Sequence, residues 1–160
     1  MLPDEYTKTT MDEHFVLHDN YDSRDDDDGR VIVFSTRKNV EIQCRSHIWF
    51  LDGTFKVSPA LFTQLFTVIK VVRRQGARGE DIPVPLFYAL MEGKHETEYE
   101  RLLQTVKDAV EQYRINACVP SLKIMADFEQ SILTACRTLD YVNEDNELEN
   151  LRTLAHAIEW

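Results

Sequence analysis

The pattern of apolar and polar positions lays out most of the chain's elements. Residues 1–29 hold few apolar side chains and end in the acidic run Asp25 to Asp28 before Gly29. Such a segment repels itself and stays solvated, so the pattern predicts a disordered acidic arm over 1–29. Val31-Ile32-Val33-Phe34 is a β-branched run and reads as a strand. Residues 38–45 leave room for one or two helical turns. His47 to Phe55 is apolar on both parities as far as Asp52, which predicts a strand covered on both faces. Strands over 64–72 and 84–91 follow, joined by the polar, glycine-containing stretch Arg73 to Asp81, and read as a hairpin with a long tip. Pro83 and Pro85 fall at the entry of the second strand, where a missing N–H costs least.

The period then changes. Tyr99, Leu102, Leu103, Val106, Ala109, Val110 and Tyr113 recur at i, i+3, i+4, i+7, i+10, i+11 and i+14, one face of a helix predicted over about 98–115. Thr97 and Glu100 have the spacing of a capping box in front of it. Ser121 to Ala126 reads as a short strand. Phe128, Ile132, Ala135, Cys136 and Leu139 predict a second helix over about 128–139. After a polar break at 140–146, Leu148, Leu151, Ala155 and Ile158 suggest a weak last helix. The order is three strands as an antiparallel meander, then αβα, which makes an α/β fold with helices packed on a mixed sheet. If strands 47–52 and 121–126 are parallel neighbours, both end at the same sheet edge.

Composition changes this picture in one respect. The chain of 160 residues has a formal net charge of -10, which argues at first against a nucleic-acid partner. The charge is unevenly spread: residues 1–29 carry 10 acids and 2 bases, 30–128 carry 11 acids and 14 bases, and 129–160 carry 7 acids and 2 bases. The mildly basic middle is compatible with a phosphate backbone. No apolar run is long enough for a membrane span. Cys44, Cys118 and Cys136 are widely spaced, which suits reduced thiols better than a disulfide framework.

Two aspartates are candidates for chemistry. Asp52 closes one strand, and Asp127, 75 residues later, closes another and opens a helix. A carboxylate at the end of a buried strand is costly unless paired or bound to a cation, and two such oxygens can hold a hard divalent ion. The structural alternative is equally simple: Asp-Gly is a strong turn dipeptide, and an Asp before a helix is a common N-cap. Spacing alone leaves both open. Arg73, Arg74 and Arg78 share one loop, as a solvated hairpin tip or as contacts to DNA phosphates. The histidines match no zinc pattern, and no phosphate-binding glycine loop or nucleophile elbow is present.

Several strings, taken together, resemble a known family. Trp49-Phe50-Leu51-Asp52-Gly53-Thr54-Phe55-Lys56 with Pro59 and Leu61-Phe62-Thr63-Gln64-Leu65, then Pro85 to Met91 with Lys94 and Tyr99, then Ala126-Asp127-Phe128-Glu129 with Ala135, are similar to successive blocks of Mutator-like (MULE) transposases. The segment Arg30 to Thr36 is also similar to what precedes that core. The resemblance covers about Arg30 to Leu139. It implies a ribonuclease H-like fold and DDE chemistry: cleavage of DNA phosphodiesters and strand transfer in transposition. Asp52 and Asp127 would be catalytic residues and ligands of Mg²⁺ or Mn²⁺, DNA the partner and the nucleus the location. After Asp127 the family continues with a strand carrying a CxxH-like pair and a later helix bearing a third acid. Here Arg137 leads into a sequence that matches neither, and no third acid is assigned among Glu144, Glu147, Glu149 and Glu159. The expectation is therefore a C-terminally truncated core over 30–139 with a divergent tail over 140–160, inactive by itself. A sheet edge left open after residue 126 would favour homo-oligomers. The alternative is a non-enzymatic, co-opted binding module on the same fold.

Overall fold

The structure, a computed structural model, describes residues 2–23, 29–73, 81–115, 123–126, 129–138 and 147–150. Behind a short 3₁₀ turn at Asp4–Tyr6 come β1 (Val16–Asp19), β2 (Val31–Phe34), α1 (Arg37–Cys44), β3 (Ile48–Thr54), β4 (Gln64–Arg73), β5 (Asp81–Met91), α2 (Glu96–Gln112), β6 (Lys123–Ala126), α3 (Gln130–Thr138) and β7 (Glu147–Asn150). The strands form one sheet in the order β1-β2-β5-β4-β3-β6-β7. β3, β4 and β5 make the antiparallel meander that the apolar runs predicted. β6 lies parallel to β3, with Leu51 opposite Ala126.

The helices share one face. Val40 of α1, Tyr99, Leu102, Leu103 and Val106 of α2, and Ile132, Ala135 and Cys136 of α3 pack in one cluster with Trp49 and Leu51 of β3 and Phe66 and Val68 of β4. Burying this many large apolar groups is the main driving force for the fold. The Trp49 indole N–H donates to the Gln43 carbonyl at 3.1 Å, tying β3 to α1. Thr36 caps α1 by accepting from the Asn39 N–H at 3.2 Å.

Several expectations are corrected. β3 is not covered on both faces: Trp49 and Leu51 are buried while Ile48 is 40% exposed and Asp52 is exposed. No described helix packs on the second face, so its apolar residues sit half in water. Asp52 therefore bears no burial cost. The α2 capping box uses Glu98, whose carboxylate accepts from the His95 N–H, two residues earlier than the predicted pair.

The N-terminal segment is not a disordered arm over residues 2–23. β1 pairs antiparallel with β2, and Asn20 is fully buried. The Asn20 side chain accepts from the Val31 N–H at 2.7 Å and donates to the Gly29 carbonyl at 3.1 Å. Asp19 and Arg30 form a two-point ion pair at 2.7 and 3.0 Å, and Phe15 stacks at 5.5 Å on Phe34. Four residues of strand, one buried amide and one aromatic suffice because an existing sheet edge supplies the partners.

At the other end, residues 147–150, where the expected last helix begins, form a strand parallel to β6; the rest of that span lies outside the described residues. Pairing with an open ladder outweighs a weak helical period. β7 also covers the edge of β6 that was expected to promote association, and β7 is now the outer strand on that side of the sheet.

Candidate functional site

β3 and β6 are parallel neighbours, and the chain leaves β3 to one side through β4 and β5 and returns through α2 to the other side at β6. Beyond the carboxyl ends of two strands at such a reversal, side chains and helix ends converge without a strand between them, and open sheets use this crevice for ligands. A cleft of about 260 Å³ lies there, lined by Asp52, Gly53, Phe55, Lys94, Ala126 and Glu129 over a floor of Leu51, Phe66 and Ile132. Two larger hollows exist. One of about 430 Å³ lies between His18 and α2, and one of about 450 Å³ lies near Arg45, His47, Lys70 and Asp81. Neither lies beyond the carboxyl ends of β3 and β6, so the smaller cleft is the better candidate.

Asp52 is exposed at the rim of the cleft, on the side of β3 away from the buried Leu51. Its backbone carbonyl accepts from the Thr67 hydroxyl at 3.2 Å, holding the strand end to β4. Glu129 comes from the residue before α3, where its carbonyl accepts from the Leu133 N–H at 3.3 Å. Its carboxylate is close enough to the Tyr99 hydroxyl to influence the phenol's ionisation. Tyr99 is fully buried, and its hydroxyl accepts from the Gln64 amide at 3.1 Å. That amide also donates to the Gly93 carbonyl at 3.2 Å. Burial pushes the Tyr99 phenol above its ordinary range; the Gln64 hydrogen bond opposes this, and the charge of Glu129 adds to the rise. Tyr99 therefore stays neutral beside Glu129.

Gly53 is needed next to Asp52. A Cβ there would stand 2.7 Å from Gln64 Oε1 and 3.3 Å from the Phe66 ring, and Gln64 is pinned in the buried network. Asp-Gly is here part of a strand, not a turn: Gly53 pairs with Phe66. On the open side the Lys94 ammonium lies 3.8 Å from the centre of the Phe55 ring, a cation–π pair.

Of the residues singled out by sequence, Asp52 is in the cleft. Asp127 lies outside the described residues; Ala126, which precedes it, is in the cleft wall and pairs with Leu51. Arg73 ends β4, opposite Asp81, while Arg74 and Arg78 lie outside the described residues. Sequence reasoning did not select Glu129, Lys94, Tyr99 or Gln64, although all four sit inside the resembling blocks. Glu129 stands two residues after Asp127, and that string was the available signal. Among the described residues no group of three or more His, Cys, Asp or Glu is arranged to hold a metal. The cleft nonetheless offers two carboxylates, the hard-oxygen donors that Mg²⁺ takes alongside water and substrate phosphate.

The family model described as the MULE transposase domain matches residues 48–142. The chain belongs to the MULE transposase family. That match takes in β3 through α3, and with them every residue that lines the cleft. Among curated proteins nothing matches the chain. No helix among the described residues is long and apolar enough to cross a membrane.

Proposed function

We propose that this MULE domain is a ribonuclease H-like, metal-dependent DNA strand-cleaving and strand-transferring unit, with the cleft at the ends of β3 and β6 as its active site. The observation that carries the reading is the parallel Leu51–Ala126 pair, which stands directly before Asp52 and Asp127 in the sequence, with Glu129 in the same cleft. The meander followed by αβα supports the ribonuclease H-like assignment.

Asp52, Asp127 and Glu129 are the residues that would hold Mg²⁺ or Mn²⁺. When bound, such ions stabilise the charge on the attacking and leaving oxygens of an in-line phosphodiester displacement. The protein's own part is positioning. Asp52 is fixed by the β3–β4 ladder and Glu129 by its place before α3, so both carboxylates are set before substrate arrives, and little reorganisation is left for the reaction. Lys94 places a positive charge at the open side, where a DNA phosphate would enter. The reacting hydroxyl belongs to water or to a DNA 3′ end, and the nucleus is the location proposed with that substrate. Arg73, Arg74 and Arg78 at the β4–β5 tip are proposed to contact more distant phosphates, with an affinity that falls as salt rises.

The test is strand cleavage with Mn²⁺ or Mg²⁺ beside Asp52→Ala and Asp127→Ala, with Mn²⁺ affinity measured separately. With Glu129 as a further carboxylate in the cleft, metal-dependent cleavage lost in both variants is now the expected result, against the sequence-based expectation of a chain inactive by itself. Metal binding with no cleavage would favour the binding-module alternative. Cleavage that survives both substitutions would refute the assignment of the site.

A further inference from the structure

We propose that Phe55 and Lys94 form a stacking-and-phosphate clamp beside the carboxylate cleft, and that this clamp takes DNA whose bases are unpaired at the reacting step. The inference rests on reading the cleft as a phosphodiester-cleaving site and adds the form of DNA it accepts.

β3 ends at Thr54, and the chain makes an open loop before β4 begins at Gln64. In that loop Phe55 is 50% exposed, Val57 64% and Leu61 76%. These apolar groups are not loose. The Ser58 N–H donates to the Phe55 carbonyl at 3.3 Å, the Phe62 N–H to the Pro59 carbonyl at 2.8 Å, and the Ser58 hydroxyl to the Phe62 carbonyl at 3.0 Å. The loop is ordered by its own bonds, so it presents its apolar side chains to water in a set position. Phe55 lines the cleft that holds Asp52 and Glu129. The ammonium of Lys94, another lining residue, lies 3.8 Å from its ring centre.

The charge of this stretch selects the partner. Residues 53–63 contain one lysine, Lys56, and no acid, in a chain whose net charge is -10. An apolar, aromatic loop with two ammonium groups, beside a cleft that takes phosphate, fits a nucleotide: its base has a π-face for Phe55 and its phosphate has the charge for Lys94. Stacking on an aromatic side chain tolerates any base. A base inside an intact duplex, however, is sandwiched by its neighbours and has no free face. A single fixed ring at the rim of a narrow cleft can be used only by a base that is out of the stack, and that costs least where the strand is already unpaired.

The test uses the full chain without divalent metal and an oligonucleotide carrying 2-aminopurine, whose emission falls on stacking. The probe is placed in a single strand, at a one-base gap and inside an uninterrupted duplex. Quenching in the first two and not the third is expected. Phe55→Ala should bind the single strand about tenfold more weakly with duplex affinity unchanged, and Phe55→Trp should restore both binding and quenching. Lys94→Gln should lower the salt dependence on the single strand by roughly the 0.7 log-log slope of one phosphate. Equal affinity for gapped and duplex DNA, indifferent to Phe55→Ala, would overturn the clamp and leave the cleft's assignment standing. A Phe55→Ala variant that changes self-association in sedimentation but not DNA binding would show the patch to be a protein interface and would also overturn it. No binding to any DNA would bring down both the clamp and the reading of the cleft.

Discussion

Leu51 of β3 faces Ala126 of β6 across a parallel ladder, and the residues that follow them in the sequence are Asp52 and Asp127. A parallel pair is the one arrangement in which two such strand ends share an edge of the sheet. In an antiparallel pair one end would lie at the far side.

This relationship, with the exposure of Asp52, separates function from stability. Asp52→Asn removes a charge from the cleft but exposes no core and breaks no described side-chain hydrogen bond. Its unfolding free energy in urea should stay within about 0.5 kcal/mol of the parent chain, as for other surface changes. Mn²⁺ affinity, measured by calorimetry, should fall about tenfold or more. A large loss of stability with unchanged metal affinity would mean that Asp52 is a structural residue.

The amide of Asn20 makes the opposite case. It occupies both hydrogen-bonding positions between β1 and the start of β2 and is fully buried. Asn20→Ala leaves the Val31 N–H and the Gly29 carbonyl without their side-chain partners and should cost about 1–3 kcal/mol. Urea unfolding will measure this. A change below about 0.5 kcal/mol would show that β1 contributes little to the folded state.

These residues mark what the sequence could and could not disclose. Apolar runs located β2 to β6 and helical periodicity located α2 and α3, because each element buries apolar side chains, and those elements put Asp52 in β3. It missed β1 because Val16-Leu17-His18-Asp19 is too short and too mixed to signal a strand; its ordering depends on β2 and on the distant pairings of Asn20 and Arg30. It missed β7 because pairing with β6 is a long-range event that no local pattern records. Glu129 was hidden for another reason. Its place in the cleft is beside Tyr99, 30 residues earlier, and a carboxylate before a helix looks like an ordinary helix-end charge.

His18 predicts a pH dependence. Its ring is in the hollow against α2. Burial lowers its pKa below the ordinary histidine value of 6.5 and the charge of Arg101 lowers it further, against the smaller opposing effects of Asp19 and Asp108. The unfolded chain therefore binds the proton more readily than the folded one. The stability associated with neutral His18 is full above the unfolded pKa, declines as pH falls below about 6.5, and levels off once pH is below the folded pKa. Urea unfolding at pH 8, 7, 6 and 5 should show this decline in the parent chain, and His18→Gln should flatten it. An unchanged pH profile in the variant would assign the dependence to other groups.

The last prediction concerns the support behind the cleft. Tyr99→Phe removes one hydroxyl and keeps the ring, which lies edge-on to Phe66 at 5.3 Å, so the fold should survive. Glu129 then loses the hydroxyl beside it, while the Gln64 amide keeps its contact with the Gly93 carbonyl. A carboxylate without that neighbour samples several rotamers, and ordering one for a cation carries an entropy cost. Mn²⁺ affinity should fall about three- to tenfold, the scale of a lost orienting partner, and Glu129→Gln should fall at least as far. Gly53→Ala attacks the same network from the other side by driving a methyl against Gln64 Oε1. It should cost about 1–3 kcal/mol as an overpacked site and also weaken metal binding. Because both changes act through Gln64 and Tyr99, the double variant should lose less metal affinity than the two single losses combined. If Tyr99→Phe binds Mn²⁺ like the parent while Glu129→Gln does not, Glu129 holds its position without Tyr99. Full additivity in the double variant would show that Gly53 acts on the cleft by a separate route.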